Sequence, residues 1–382
     1  MNMAVDVPGP VARYLAALDR LAPMIAARRD DFDRDRRLPD DLFEAMSAAG
    51  LFKLYLPKSF GGPELSPFDF MTVVEAASEL DGSVGWLVGN GGGISRMAAV
   101  LPEPVAREIF EPSTAFIVAA TGAVGTLTSV EGGYRLTGRW PFGSGAHHAS
   151  HFMGLAAASD GPVICCYFGR NDVTVEDTWR TSGLRGTGSC HFSVTDVFVP
   201  DAWTHPFLGS RPRVDGVAYR LPPVSAFGWT VATVPLGIAE GAIKSFVEVA
   251  AGKGRGEGGP LLRDRETIQA MVGRLRALHG AARAFLVQSM TDLIAAQDVG
   301  GEHLDQARAR LRTSYAHAAE TAIQIAQTLQ LELGALSIFE TFPLERATRD
   351  INAAAKHIAM NPNLYALAGR LELGLAPGTD RF

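Results

Sequence analysis

The spacing of apolar residues changes twice along this 382-residue chain, and that double change constrains the fold more than any single motif. From Val11 to about Leu54, Tyr14, Leu15, Leu18 and Leu21, then Leu38, Leu42, Phe43 and Met46, recur at three- and four-residue intervals, the mark of helices with one apolar stripe. Pro39 suits a first helical turn. "PKSFGGPELS" breaks the pattern, and Ser66-Pro67 opens a further helix through "FDFMTVVEAASEL". After Pro112 the chain becomes a series of short β-rich runs, among them "HFMGLAAA", "PVICCYFG" and "CHFSVTDVFVP", with "EGGY" reading as a hairpin turn. Beyond Pro212, Pro222 and Pro223 the helical spacing returns over 228–251, 263–297, 303–334 and 343–360, the number and length of helices in an antiparallel four-helix bundle. The fold class is therefore α+β, with an N-terminal helical domain at 1–114, a central β-barrel or sandwich at 115–212 and a C-terminal four-helix bundle at 213–382.

Composition narrows the function classes. A hydrophobic share of 47% supports large cores, and a net charge of -6 without a basic stripe argues against a nucleic-acid binder. The arginines between Arg28 and Arg37 alternate with Asp30, Asp31, Asp33 and Asp35, which reads as a solvated, self-paired face. Cys165, Cys166 and Cys190 have neither zinc-site nor disulfide-framework spacing, which fits a reducing compartment. No signal-peptide pattern and no uninterrupted apolar span of membrane length is found, so the expectation is a cytoplasmic protein without a membrane partner.

The chemistry-bearing stretch is "RWPFGSGAHHASHF", residues 139–152, which holds three of the chain's nine histidines. His147, His148 and His151 lack a carboxylate or thiol at ligand spacing, and on a strand His147 and His148 would face opposite sides, so no metal is expected. Ser144 lies in Gly-Ser-Gly rather than in a nucleophile elbow. Residues 254–259 match Gly-x-Gly-x-x-Gly, but a helix precedes them and Pro260 follows, which suits an inter-helix loop and not a dinucleotide site. Near the C-terminus Arg346, Asp350 and His357 fall on one face of a continuous helix, either as a structural ion-pair network or as part of a site.

Helical domain, β module and bundle, in that order, resemble the acyl-CoA dehydrogenase superfamily. "LPKSFGGPELS" resembles its early proline-glycine loop, "SGLRGTGSCHFSVTDVFVP" its strand pair ending in Val-Pro, and Arg349-Asp350 the Arg-Asp pair of its last long helix. Dehydrogenases of the family commonly carry a catalytic glutamate eight residues past that Asp; Ile358 stands there instead, and the following Glu-Gly-Thr is absent. "RDINAAAKH", "DGSVGWLVGNGG" and "GGYRLTGRWPFGSGAHHASHF" resemble the flavin-dependent monooxygenase branch, the oxygenase components of two-component hydroxylases. That branch often has a histidine near Gly93 to Ser95 that holds a phenolic substrate, and here the sequence is "GGGIS".

The resemblance implies a monooxygenase that takes reduced FMN or FAD by diffusion from a separate reductase and uses O2, through a C4a-hydroperoxyflavin, to oxygenate a small aromatic or apolar molecule. The alternative is an FAD-dependent oxidoreductase of the acyl-CoA dehydrogenase type. By resemblance, His357 and Ser144 are catalytic, His357 as a proton donor titrating near neutrality and Ser144 at flavin N5. Trp140, Phe142, Ser144, Gly145, Thr187, Ser189, Arg349 and Asp350 would hold the flavin, and Trp86, Asn90 and His147 would meet the substrate. The surplus of apolar residues in the C-terminal helices, with the family's habit of assembling through them, implies a homotetramer.

Overall fold

The computed structural model describes residues 9–254 and 260–379. All of the 254–259 glycine motif except Gly254 therefore lies outside the described residues. The helices and strands run α1 (Ala12–Asp35), α2 (Asp40–Ala48), α3 (Pro67–Leu80), α4 (Gly82–Ile94), α5 (Glu103–Phe110), β1 (Ile117–Val130), β2 (Gly133–Gly143), β3 (His151–Ala157), β4 (Ile164–Gly169), β5 (Thr174–Glu176), β6 (Cys190–Pro200) and β7 (Thr204–Pro206). They continue as α6 (Val217–Arg220), α7 (Pro223–Ala232), α8 (Val234–Gly252), α9 (Glu266–Ala296), α10 (Gly301–Leu333), α11 (Pro343–Ala354) and α12 (Asn363–Glu372). The chain divides into two compact units. One holds the described residues up to Val73, Trp86–Arg180 and Arg185–Pro223; the other holds Val74–Gly85, Thr181–Leu184 and the described residues from Val224 onward.

In the first unit the strands form one seven-stranded sheet in the order β5-β6-β2-β1-β3-β4-β7, with β1 parallel to β3 and the remaining pairs antiparallel. The predicted hairpin joins β1 to β2 at Val130 and Gly133, with Gly132 at φ +75°, a conformation that glycine adopts without penalty. Register shifts at Leu136/Gly138 and Trp140/Gly143 bend β2 where it approaches the Gly-Ser-Gly turn. Leu56, Ile109, Phe110, Leu155 and Tyr167 close one apolar core.

Trp140 is the centre of another part of that interior. Its ring is fully buried against Phe168 and Phe192, and its Nε1–H donates to the Leu155 carbonyl at 2.9 Å. A Cβ on Gly138, Gly154 or Gly125 would lie 2.4, 2.5 or 2.8 Å from the indole. The glycines around this motif thus make a slot for a tryptophan rather than for a bound ring. Truncating a core aromatic of this kind typically costs roughly 3–5 kcal/mol, so packing alone explains its presence.

The second unit is helical. Helices α8, α9, α10 and α11 pack on one another, α10 through a run of small buried side chains that includes Ala316, Ala319, Ala322 and Ala326. Gly237 of α8 lets α3 approach closely: a Cβ there would sit 2.6 Å from the Glu75 carbonyl oxygen. The stretch Pro223–Gly252 is long and apolar enough to cross a membrane, but 83% of its most apolar window is buried within the protein, as befits a core helix. The fourth bundle segment is shorter than its sequence spacing predicts. Helix α11 ends at Ala354, and His357, at ψ 140°, is already extended and caps a short 3-10 turn at Ile358–Met360. Apolar spacing persists through this break because Met360 is still buried, so periodicity alone overruns the helix end. Helix α12, which packs on α10, had no counterpart in the four segments read from the sequence.

Candidate functional site

In the first unit, the turn after β2 gathers a row of polar atoms. Gly145, at φ +80°, donates its N–H to the Thr187 carbonyl at 2.8 Å and so pins the turn beside Thr187 and Ser189. Ser144 Oγ then lies 2.8 Å from Ser189 Oγ, which lies 2.7 Å from Thr187 Oγ1. Trp86 Nε1–H, from α4, donates to Ser144 Oγ at 3.0 Å. Thr187 and Ser189 are buried, while Ser144 is half-exposed. The structure therefore brings together Ser144, Gly145, Thr187, Ser189 and Trp86, five residues from three stretches of sequence.

Phe142, two residues earlier, is 64% exposed and sits at φ +63°, a conformation unusual for a bulky residue. Its ring meets Trp179 and His191 edge to face at 6.4 and 5.7 Å. The backbone strain turns an aromatic surface outward next to the hydroxyl row, where the alternation of β2 would otherwise bury or tuck it. Trp179 and His191 were not singled out from the sequence, and no local pattern marks them.

Other expected contacts fall elsewhere. Trp140 cannot offer its face to a ligand, because it is enclosed by the sheet as described above. Asn90 Nδ2 donates to the Trp86 carbonyl at 2.8 Å one turn back along α4, steadying the helix that carries Trp86. His147 and His148 lie in a turn, not on a strand. His147 is exposed with Nε2 3.5 Å from Cys190 Sγ. His148 stacks on Phe43 at 4.1 Å and bonds the Leu38 carbonyl at 3.0 Å; burial pushes it down to about 4, so it is neutral and structural. His151 begins β3, with Nδ1 3.2 Å from Ser150 Oγ. Among the described residues no group of three or more His, Cys, Asp or Glu is placed to hold a metal ion.

In the second unit, His357 is held by the turn that ends α11. The Ala359 N–H donates to its Nδ1 at 3.2 Å, and the Phe227 ring lies 5.8 Å away. Burial pushes His357 down to about 4, so near neutral pH the imidazole is uncharged. With Nδ1 accepting, the proton resides on Nε2, which is a fixed hydrogen-bond donor. This corrects the expectation of an acid titrating near neutrality. Ile358, in the place of the dehydrogenase glutamate, is 75% exposed.

Arg349 and Asp350 serve the chain itself. Arg349 bonds Glu345 Oε1 at 2.7 Å and the Ser182 carbonyl at 2.9 Å, and Asp350 Oδ1 accepts the Leu184 N–H at 2.6 Å. Leu184 is at φ +51°, and a Cβ on Gly183 would lie 2.1 Å from the Arg349 carbonyl oxygen. The pair expected to hold flavin instead clamps residues 182–184 onto α11, and those residues lead directly into Thr187 and Ser189. Asp350 is 3% exposed. Burial first, and then the Asp81 charge, raise it to about 7. Asp81 is itself fixed as the acceptor for the Ser83 and Val84 N–H groups at 2.8 and 3.3 Å.

The sign of the consequence follows from linkage. Between the ordinary carboxylate value of 3.8 and about 7 the native state binds a proton at Asp350 that the unfolded chain does not, so the contribution of this group is greatest in acid and is lost as pH rises through that window. The stability of Asp350→Asn relative to the parent is expected to rise between about pH 4 and pH 7 and then level off, because the buried histidines act alike in both proteins and only the parent gives up this proton. A parent-like slope in the variant would refute the assignment.

The geometry of the first unit fits a flavin ring: one half-exposed hydroxyl with capacity for a further hydrogen bond, and an outward aromatic beside it. The acyl-CoA dehydrogenase N-terminal domain matches residues 16–101 and the acyl-CoA dehydrogenase C-terminal domain matches residues 229–362. The chain belongs to the acyl-CoA dehydrogenase family. Within it, the chain is 33% identical to an indole-3-acetate monooxygenase of Pseudomonas putida, over 92% of this chain and 91% of that protein. It is 31% identical to the flavin-dependent monooxygenase oxygenase subunit HsaA of Mycobacterium tuberculosis, over 95% and 96%. XiaF from Streptomyces sp., solved with FADH2 and glycerol, superposes with a TM-score of 0.88 at 29% identity over 97% of each chain. The protein is a reduced-flavin-dependent monooxygenase, the oxygenase component of a pair whose reductase is a separate protein, and the dehydrogenase alternative gives way to it.

Proposed function

We propose that this oxygenase takes FADH2 by diffusion from its reductase and inserts one oxygen atom into a small electron-rich heteroaromatic of the indole class rather than into a phenol. The observation that carries the site is the Ser144 hydroxyl, anchored by the Trp86 N–H at 3.0 Å and by Ser189 at 2.8 Å beside the outward ring of Phe142. FADH2 in the superposed XiaF structure supports the choice of FAD. Two indole-3-acetate monooxygenases among the relatives, at 33% and 28% identity, support the indole class. So does "GGGIS", which lacks the phenol-holding histidine; in its place Ser95 is buried and bonds the Gly92 carbonyl at 2.7 Å.

Bound reduced flavin supplies the activation of O2. The chain supplies placement: in the first unit Ser144 accepts a hydrogen bond at the flavin edge and Phe142 gives flat apolar contact, and, as the family resemblance implies, His357 serves as a donor in the oxygen chemistry. Buried, unpaired Cys165 and Cys166 support a cytoplasmic setting. Exposed Leu331, Ile338, Phe339 and Leu373, at 85, 73, 57 and 78%, support assembly of a homotetramer through the helical unit.

The test is anaerobic titration with FADH2 and with reduced FMN, followed by mixing with O2 and indole-3-acetate, indole or resorcinol, with product and H2O2 measured. Tighter FADH2 binding and hydroxylation of the indoles are expected. Oxygenation of resorcinol alone refutes the substrate class, and sedimentation as a monomer at micromolar concentration refutes the tetramer.

A further inference from the structure

The three hydroxyls are spaced so that each can bond the next in either sense: Ser144 to Ser189 at 2.8 Å and Ser189 to Thr187 at 2.7 Å. A hydroxyl has one proton and two lone pairs, whereas the Trp86 indole only donates. The Trp86 N–H therefore occupies one lone pair of Ser144 whatever the rest of the row does. Ser144 is left with one proton and one lone pair to divide between Ser189 and whatever lies at its exposed side.

We infer that Thr187, Ser189 and Ser144 form a reversible hydrogen-bond relay whose direction follows the proton at flavin N5, and that Trp86 makes the relay all-or-none by leaving Ser144 a single open lone pair. This rests on the reading that Ser144 faces N5. Reduced flavin presents N5–H, so Ser144 must accept there and give its proton to Ser189, which gives its own to Thr187. Oxidised flavin presents a lone pair, so Ser144 must donate there and accept from Ser189. Thr187 is thus the residue that permits the reduced-flavin sense, because without an acceptor at the buried end Ser189 can only point its proton at Ser144. Ser144 would then have both lone pairs filled, by Trp86 and Ser189, and none for N5–H. Burial of Thr187 and Ser189 keeps water from standing in for the missing acceptor.

The experiment is anaerobic measurement of Kd for FADH2 and for FAD on the same preparations. Thr187→Val is expected to weaken FADH2 relative to FAD by about 3- to 10-fold, the effect of one hydrogen bond. Thr187→Ser retains the parent ratio. The double variant Trp86→Phe/Thr187→Val regains it to within about twofold, since removing the indole N–H frees the second lone pair of Ser144. A purely structural role of Thr187 predicts no such rescue. Should Thr187→Val fold poorly, Thr187→Ala removes the same hydroxyl and carries the same expected loss and the same rescue by Trp86→Phe, whereas Ser189→Ala removes the competing donor itself and leaves a lone pair of Ser144 open to N5–H. An unchanged ratio in folded Thr187→Val or Thr187→Ala, or absence of rescue in the double variant, overturns the relay. Ser144→Ala separates the levels: if it shifts the ratio while Thr187→Val does not, only the relay falls, and if it shifts nothing, the placement of Ser144 at N5 falls with it.

Discussion

Replacing His357 by alanine is expected to lower hydroxylation by a factor of about 10² to 10³, the usual result of removing one fixed donor from a developing negative charge. Folding should persist, because His357 lies in the turn beyond the end of α11, where the Ala359 N–H bonds its Nδ1 and Phe227 lies beside it, rather than inside a helix. The structure changes the kind of effect as well as its size. A group pushed down to about 4 does not titrate across the working range, so the parent rate should carry no limb near pH 6.5 from this residue. In stability the sign is opposite to that of Asp350. The unfolded imidazole takes a proton that the buried one refuses, so this residue contributes stability above its ordinary value of 6.5 that is lost as pH falls toward about 4. Stopped-flow product formation against pH, with His151→Ala as a control of little effect, is the check. Parent-rate hydroxylation by His357→Ala would remove the residue from the reaction.

Ser144→Ala is expected to redirect the oxidant rather than stop its formation. Loss of one hydrogen bond costs about 0.5–1.5 kcal/mol, which is too little to abolish flavin binding but enough to raise the share of O2 released as H2O2 by roughly 2- to 10-fold. The substitution also leaves the Trp86 N–H and Ser189 Oγ without their shared partner, so flavin at this site should become less precisely held. Peroxide assayed per flavin oxidised measures the effect, and parent coupling in Ser144→Ala would contradict it.

Much of the architecture was legible in one dimension because the driving force is local. The 3.6 and 2.0 residue periods place apolar side chains on one face of helix or strand, and they marked the helical, β and helical regions. Short motifs were equally legible where backbone geometry demanded a residue type, as in "EGGY", where Gly132 at positive φ turns β1 into β2.

What the chain order could not decide was which partner each side chain finds. Trp140 and Phe142 are two residues apart on the same strand, yet one fills a glycine slot and the other faces outward, because a register shift and a positive φ intervene. Arg349 and Asp350 carry the family pattern, but their partners, the Ser182 carbonyl and the Leu184 N–H, lie more than 160 residues away, at separations of 167 and 166. His357 shares the spacing of Arg346 and Asp350 but leaves their helix, since α11 ends three residues before it. Its charge state was likewise invisible in sequence: a histidine's affinity for a proton depends on how much water the surrounding side chains exclude, and that is decided only when the helices close around it.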